Sequence, residues 1–263
     1  MNQLTVATIN LRNRADRWRE RRRLLVNQIY DTEPDLISLQ EVHFPIRQGH
    51  WLRNQINIRL AQAGKSPYRL ILARKRHLIN GYYEGIGILT KLPVRYHDVI
   101  NLGYGGRVAL RANVMLPSHH SLDFVAVHLH HVTSEQEERK EQAMRMTGWL
   151  NNPARNPLQV VAGDFNETPG GPAIQWLKQG YRSAYETVHG REPYATFPTA
   201  LCLQPDEDGS MTTEMPALCL DYIFVSHGVK VAQASLFCHQ PGGEDPYLYP
   251  SDHVGLLATI EWA

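Results

Sequence analysis

Polar residues of catalytic type stand where apolar runs begin or end. Asn10 follows TVATI, Glu41 follows DLISLQ, His128 follows DFVAV, and Asp164 and Asn166 follow LQVVA. Asp221 opens DYIFVS, and the pair Asp252-His253 opens VGLLATI. No GxSxG elbow and no Ser-His-Asp order accompanies them, so acyl transfer is poorly supported. Carboxylate and amide oxygens are hard ligands suited to Mg²⁺ or Mn²⁺, with Glu41 the leading ligand. Histidines and an asparagine can orient a water and donate to phosphoryl oxygens. Zinc is the rival metal, because His128 and His130 project to one face of a strand, but no HExxH is present. Each residue also has a structural reading: Gly163, Asp164, Asn166, Pro169 and Gly170 are all turn formers. Their joint placement at strand ends is what weakens that reading.

Such residues act together only if the elements converge. In a mixed sheet, the carboxyl end of one strand and the amino end of an antiparallel neighbour share an edge. Strands are expected at 4–9, 35–40, 69–73, 85–90, 94–102, 107–115, 121–128, 158–162, 221–226, 229–238 and 254–262. Helices are expected at 17–30, 51–63 and 172–178. Ser134-Glu135-Gln136-Glu137 fits a capping box that starts a helix running to Leu150, with Ala143, Met146, Thr147 and Leu150 facing inward. Residues 194–218 read as a long irregular loop. Strands outnumber helices and both ends are strands, so the expected fold is α/β: two mixed sheets packed face to face with helices outside, in a single domain.

The 263 residues are 43% apolar and carry 27 basic against 26 acidic side chains, which is globular composition with no field drawing the chain to nucleic acid. The run Arg12–Arg23 is the densest basic stretch, and a solvated helix face is favoured over phosphate contact. Three cysteines without a CxxC pair suggest neither a disulfide framework nor a cysteine zinc site. The chain shows no leader and no apolar run near the roughly 20 residues of a membrane span, so a cytoplasmic protein is expected. The oligomeric state is open, with a monomer compatible.

The segments TINLR, LQEV, YEGIGILT, VAVHL, GDFNETP, LDYIFVS and SDHVG, in that order between residues 8 and 255, resemble the endonuclease/exonuclease/phosphatase superfamily. The resemblance implies a four-layer α/β sandwich that hydrolyses a phosphoester with a divalent metal. It matches Glu41 to the metal-binding glutamate, Asn10 to the asparagine supporting metal or phosphate, and Asp252 to an acid sometimes placed on the metal. Asp164 matches the aspartate that activates the attacking water, and Asn166 the asparagine beside it. His253 matches the histidine contacting the scissile phosphate, with Asp221 holding its tautomer. His128 matches a donor to a phosphate oxygen or the leaving group, and Arg107 a basic residue near the phosphate.

The expected partner is therefore a phosphoester. A nucleic acid would use a groove with Arg12, Arg14, Arg107 and Arg111 and stacking on Tyr82, Tyr83 and Tyr104. A small phosphorylated molecule or lipid headgroup is the alternative, and a non-catalytic binding domain is opposed by the complete residue set.

Overall fold

The computed structural model describes residues 2–77, 79–117, 120–151, 156–206 and 208–262. Its strands read as near-continuous apolar runs because both faces are covered. In β1 (Gln3–Asn10), Val6 points between the two sheets while Ala7 and Ile9 point to the helices outside. β2 (Leu36–His43) lies parallel to β1, joined by α1 (Trp18–Thr32). α2 (Gln48–Gln62), β3 (Arg69–Arg74), the single turn α3 (Asn80–Tyr83) and β4 (Glu84–Thr90) follow.

The second sheet begins with β5 (Val94–Asn101), β6 (Val108–Met115) and β7 (Ser121–His128). α4 (Gln136–Leu150) then crosses to β8 (Gln159–Asp164), which is parallel to β7. After α5 (Pro172–Leu177), β9 (Tyr181–Ser183) and α6 (Ala184–His189) comes a small hairpin, β10 (Gln204–Pro205) with β11 (Met211–Thr212). The chain closes with β12 (Asp221–Ser226), β13 (Lys230–Phe237) and β14 (Gly255–Glu261).

The sheets run β13-β14-β1-β2-β4-β3 and β5-β6-β7-β8-β12-β9. Each has one parallel pair, β1 with β2 and β7 with β8, made possible by a helical crossover. Three apolar layers separate the four structural ones. Val6, Ile88, Leu110, Phe124 and Val160 lie between the sheets, Leu25, Ile29, Leu52 and Ile56 under α1 and α2, and Ala143, Met146 and Ile174 under α4 and α5. This is the expected four-layer sandwich. A polar thread also joins the sheets: Thr8 Oγ1 donates to Gln40 Oε1, Gln40 Nε2 to Ser38 Oγ at 2.7 Å, and Ser38 Oγ to the Ala162 carbonyl at 2.8 Å. Among the described residues no helix is long and apolar enough to cross a membrane, and all three cysteines are free.

Several local expectations change. α4 is capped at Glu135, not Ser134, and has no side-chain cap. The Glu135 carboxylate is instead engaged by His130 Nε2 and the Tyr104 hydroxyl. α2 starts a turn early because buried Gln48 takes the His43 N–H and donates to the Asn13 carbonyl. Residues 181–189, assigned no element from sequence, form β9 and α6. The 194–218 loop carries a 3₁₀ turn at Ala200–Cys202 and the β10–β11 hairpin; Glu207 lies outside the described residues.

Candidate active site

Register across the second sheet builds the core of the site. Asp164, the last residue of β8, pairs with His128 on parallel β7 and with Asp221 on antiparallel β12. Three functional side chains therefore occupy one row on neighbouring strands. From the facing sheet, Asn10 Nδ2 donates to Asp164 Oδ2 at 3.0 Å and to Glu41 Oε1 at 3.3 Å. Asn10 Oδ1 accepts the Arg12 N–H at 2.9 Å, so the amide holds two carboxylates from different sheets by its N–H side.

Glu41 is aimed by a bulge. β2 runs past Gln40, where the sequence reading ends it, and its register to β4 shifts between Leu39 and Val42. Glu41 there adopts φ 51°, a left-handed conformation that costs a non-glycine residue about 1–3 kcal/mol. Asn13 Nδ2 fixes its other oxygen at 3.1 Å. Asn166 is also left-handed, at φ 50°. Its N–H donates to Asp164 Oδ1 at 2.9 Å and its Nδ2 to the Leu129 carbonyl at 3.1 Å, so it braces Asp164 through a local turn.

Asp252 and His253 come from the turn before β14. Thr199 Oγ1 donates to the Ser251 carbonyl at 2.7 Å, and Phe197 packs on the His253 ring with centroids 4.9 Å apart. The 194–218 loop thus buttresses the histidine. His253 Nδ1 donates to Asp221 Oδ2 at 2.8 Å, which leaves Nε2 facing Asp164 at 3.9 Å. His128 Nε2 lies 3.5 Å from the same Asp164 oxygen. Asp252 is held by Ser251 Oγ and by Arg12 Nε at 3.2 Å.

These groups line, or hydrogen-bond to residues lining, a cleft of about 700 Å³. Its lining brings the acids Glu41, Asp164 and Asp252 together with the basic side chains of His128, His131, Lys75 and Arg107. Arg107 is 4% exposed; Nη2 meets His131 Nδ1 at 3.3 Å, while buried Nη1 has no partner among the described residues. Lys75 pairs with Glu84. Phe197, Met215, Pro216, Leu218 and Leu220 form an apolar wall.

Electrostatics separate the two histidines. Burial, then Arg107 and Lys75, pushes His128 well below its ordinary value and keeps it neutral. Burial opposes charge on His253 too, but Asp221, Asp164 and Asp252 outweigh it and raise the ring well above its ordinary value. Burial, with Glu84 and Asp252 nearby, raises the Glu41 carboxyl to about 7. Burial, reinforced by Asp221 and opposed by His253, raises Asp164 to about 6.

Crowded carboxylates of that kind suit a hard divalent cation, which would neutralise them. Among the described residues, Asp164, Asp221 and His253 bring ligand atoms within 4.8 Å of one another, and Glu41 and Asp252 fall outside that group. Asp221 and His253 of that group are engaged with each other and Asp164 is held by Asn10 and Asn166, whereas Glu41 lines the cleft with its two oxygens held only by the amides of Asn10 and Asn13. The zinc alternative loses its pairing, because His130 Nε2 is engaged by Glu135 away from His128.

Some expectations are not met. Arg111 is bound to Asp98 at 2.6 and 2.8 Å and stacks on Trp149, away from the cleft. Its strand position points it across the sheet surface. Tyr82, Tyr83 and Tyr104 are exposed and do not line the cleft. Lys75, Glu84, Asn13 and Phe197 belong to the site without having been singled out. Glu84 and Asn13 at least lie in or beside the quoted segments YEGIGILT and TINLR.

The fold is shared with solved structures of low sequence identity. The catalytic domain of human nocturnin with bound sulfate matches at TM-score 0.74 and 20% identity, over 100% of this chain and 95% of that one. An endonuclease/exonuclease/phosphatase from Bacteroides vulgatus matches at TM-score 0.72 and 20% identity over the whole of both chains. TDP2 from Caenorhabditis elegans matches at TM-score 0.73 and 19% identity, over 98% of this chain and 75% of that one. Compared by sequence, no curated protein matches. The profile of the Endonuclease/Exonuclease/phosphatase family matches residues 7–253, a span that begins within β1 and ends on His253. With the two-sheet sandwich and the acid and histidine row at its edge, that match places the chain in this family of metal-dependent phosphoester hydrolases.

Proposed function

We propose that this chain hydrolyses a phosphodiester, in a nuclease-type reaction, with Mg²⁺ or Mn²⁺ held at Glu41 and supported by Asn10 and Asp252. The observation that carries the reading is the row His128, Asp164 and Asp221 with His253 closing it. Asp164, whose carboxyl is raised toward neutrality, accepts a proton from the attacking water and aims it. Asp221 keeps His253 charged with Nε2–H turned to the phosphate, where it stabilises the developing oxyanion. Neutral His128 donates toward a phosphate oxygen or the leaving group, and Arg107 directs its unpartnered N–H at a non-bridging oxygen. The cation supplies further charge neutralisation for the phosphoryl oxygens. Asn166 acts through Asp164 by holding its second oxygen.

A second reading, hydrolysis of a small phosphorylated molecule, is favoured by the apolar wall and by Arg111 being turned away from the cleft. Purified protein assayed with Mg²⁺ or Mn²⁺ on plasmid DNA, single-stranded RNA, bis-p-nitrophenyl phosphate, p-nitrophenyl phosphate and sphingomyelin separates the two. Turnover of plasmid or RNA supports the nuclease-type reading. Turnover confined to the monoester or to sphingomyelin replaces it with the second.

A further inference from the structure

Among the described residues, the two largest fully buried side chains are arginines, Arg21 at 0% and Arg139 at 1% exposure. Each is the fourth residue of a crossover helix, α1 in one half and α4 in the other. Neither is expected from a solvated basic face, and each ties together loops that leave the site-bearing strands.

Arg21 has no carboxylate among its hydrogen bonds. Its five N–H groups serve only backbone carbonyls: Nη1 reaches Leu11 at 2.8 Å and Pro250 at 2.9 Å, and Nη2 reaches Arg12, Asn13 and Ala15. Nε serves Asp16 at 2.8 Å. The single atom Nη1 therefore joins the loop after β1 to the turn that carries Asp252 and His253. That loop contains four left-handed non-glycine residues, Arg12, Asn13, Asp16 and Arg17, so its shape needs an external hold. It delivers Asn13 to Glu41 and Arg12 to Asp252.

Arg139 does the same in the second half. Nε donates to Glu167 Oε2 at 3.1 Å, Nη1 to the Val132 carbonyl at 2.6 Å and Nη2 to the Thr133 carbonyl at 3.1 Å. It links the strap after His128, which carries the Arg107 partner His131, to the turn after Asp164, which carries Asn166.

We infer that Arg21 and Arg139 are paired positioning residues, Arg21 holding the loop that carries the partners of Glu41 and Asp252 to the turn of Asp252 and His253, and Arg139 holding the strap that carries His131, the partner of Arg107, to the turn after Asp164. Neither hydrogen-bonds to Asp164, His128, His253 or Glu41, although Arg139 edges the cleft. The inference rests on the phosphoester reading of the site but makes a crossed prediction of its own. Lysine keeps the charge of either residue but offers a compact ammonium in place of the planar fork, so it cannot reproduce these contacts.

The test uses Arg21→Lys and Arg139→Lys in the full chain, with circular dichroism and melting to establish folding. Calorimetry then measures Mn²⁺ binding to the free protein and inorganic phosphate binding to the Mn²⁺-loaded protein, beside kcat and KM on bis-p-nitrophenyl phosphate. Arg21→Lys is expected to weaken Mn²⁺ binding by about tenfold or more, and Arg139→Lys to weaken phosphate binding while leaving Mn²⁺ within about twofold. Both should lower kcat by roughly 10–100-fold, with KM changed far less. Where a lysine variant does not fold, Arg21→Gln or Glu167→Gln takes its place. A folded variant with lower melting temperature but unchanged ion binding and kcat would show a merely structural arginine and overturn the inference. If the unaltered protein cleaves no diester, the functional reading fails, while the crossed binding pattern still decides the positioning claim.

Discussion

His253 and Asp221 form a 2.8 Å hydrogen bond through Nδ1, and the backbone pairing of Asp221 with Asp164 sets where the other ring nitrogen points. A single antiparallel residue pair thus fixes the tautomer, the charge and the aim of the histidine. The positive ring then faces Asp164 across 3.9 Å, too close for an oxygen to lie in line between them, so a reacting oxygen would be held beside the pair within reach of both.

Asp221→Asn conserves shape but removes the charge that keeps His253 protonated. Its kcat should fall by about 10²–10⁴-fold, with the melting temperature little changed. An imidazole titration followed by NMR should also show His253 moving down toward its ordinary value. Near-normal turnover in a folded Asp221→Asn protein would remove this role.

Metal and protons should compete for the cleft carboxylates. Glu41 and Asp164 are raised in the folded, metal-free protein, so it holds protons that the unfolded chain has released. His253 is raised as well and contributes stability below its ordinary value that is lost as pH climbs through the folded one. These three signs agree and oppose that of His128, whose lowered value makes stability rise with pH up to the ordinary histidine range near 6.5, so in EDTA the net fall should show above about pH 6.5. Mg²⁺ or Mn²⁺ should restore more stability at about pH 8 than at about pH 5.5. Melting curves that are flat across this range, or a metal effect larger in acid, would contradict the assignment.

Arg107→Met tests the unpartnered guanidinium. Removing a buried charge whose Nη1 has no partner among the described residues should leave stability unchanged or slightly raised. kcat/KM should drop by roughly 10–100-fold, because a charge-assisted contact to the phosphate is lost. Loss of folding without a specific kinetic effect would mark Arg107 as structural.

Ser38→Ala tests the polar thread between the sheets. It leaves the buried Gln40 Nε2 without its acceptor and the Ala162 carbonyl without its donor. A loss of about 1–3 kcal/mol in chemical denaturation is expected, with kcat per folded molecule close to normal. A change under about 0.5 kcal/mol would show that the thread contributes little.

Much of the architecture was legible because period and punctuation carried it. Buried strands such as LQVVA and DYIFVS announce themselves by composition, and their polar ends are where register places the site. The bulge at Glu41 was not legible, since a left-handed residue inside a strand leaves no mark in LQEV. Within the basic run, Arg14, Arg17, Arg19 and Arg23 are exposed as expected, but Arg21 is buried among carbonyls, and carbonyls have no sequence signature. The capping-box pattern at Ser134 is not used, since the helix takes Glu135 as its N-cap and the box glutamate, Glu137, pairs with Lys140 instead. Lys75 and Phe197 enter the cleft from separate loops, so only the fold brings them in.

The central claim is metal-dependent hydrolysis of a phosphodiester at the Asp164–His253–Asp221 cluster. The most direct measurement is release of p-nitrophenol from bis-p-nitrophenyl phosphate by the protein and by His253→Ala, each in Mn²⁺ and in EDTA. The account predicts turnover by the unaltered protein in Mn²⁺ alone, and a fall of about 10²-fold or more in a folded His253→Ala variant. Equal rates for the two proteins in Mn²⁺, or turnover undiminished by EDTA, would contradict it.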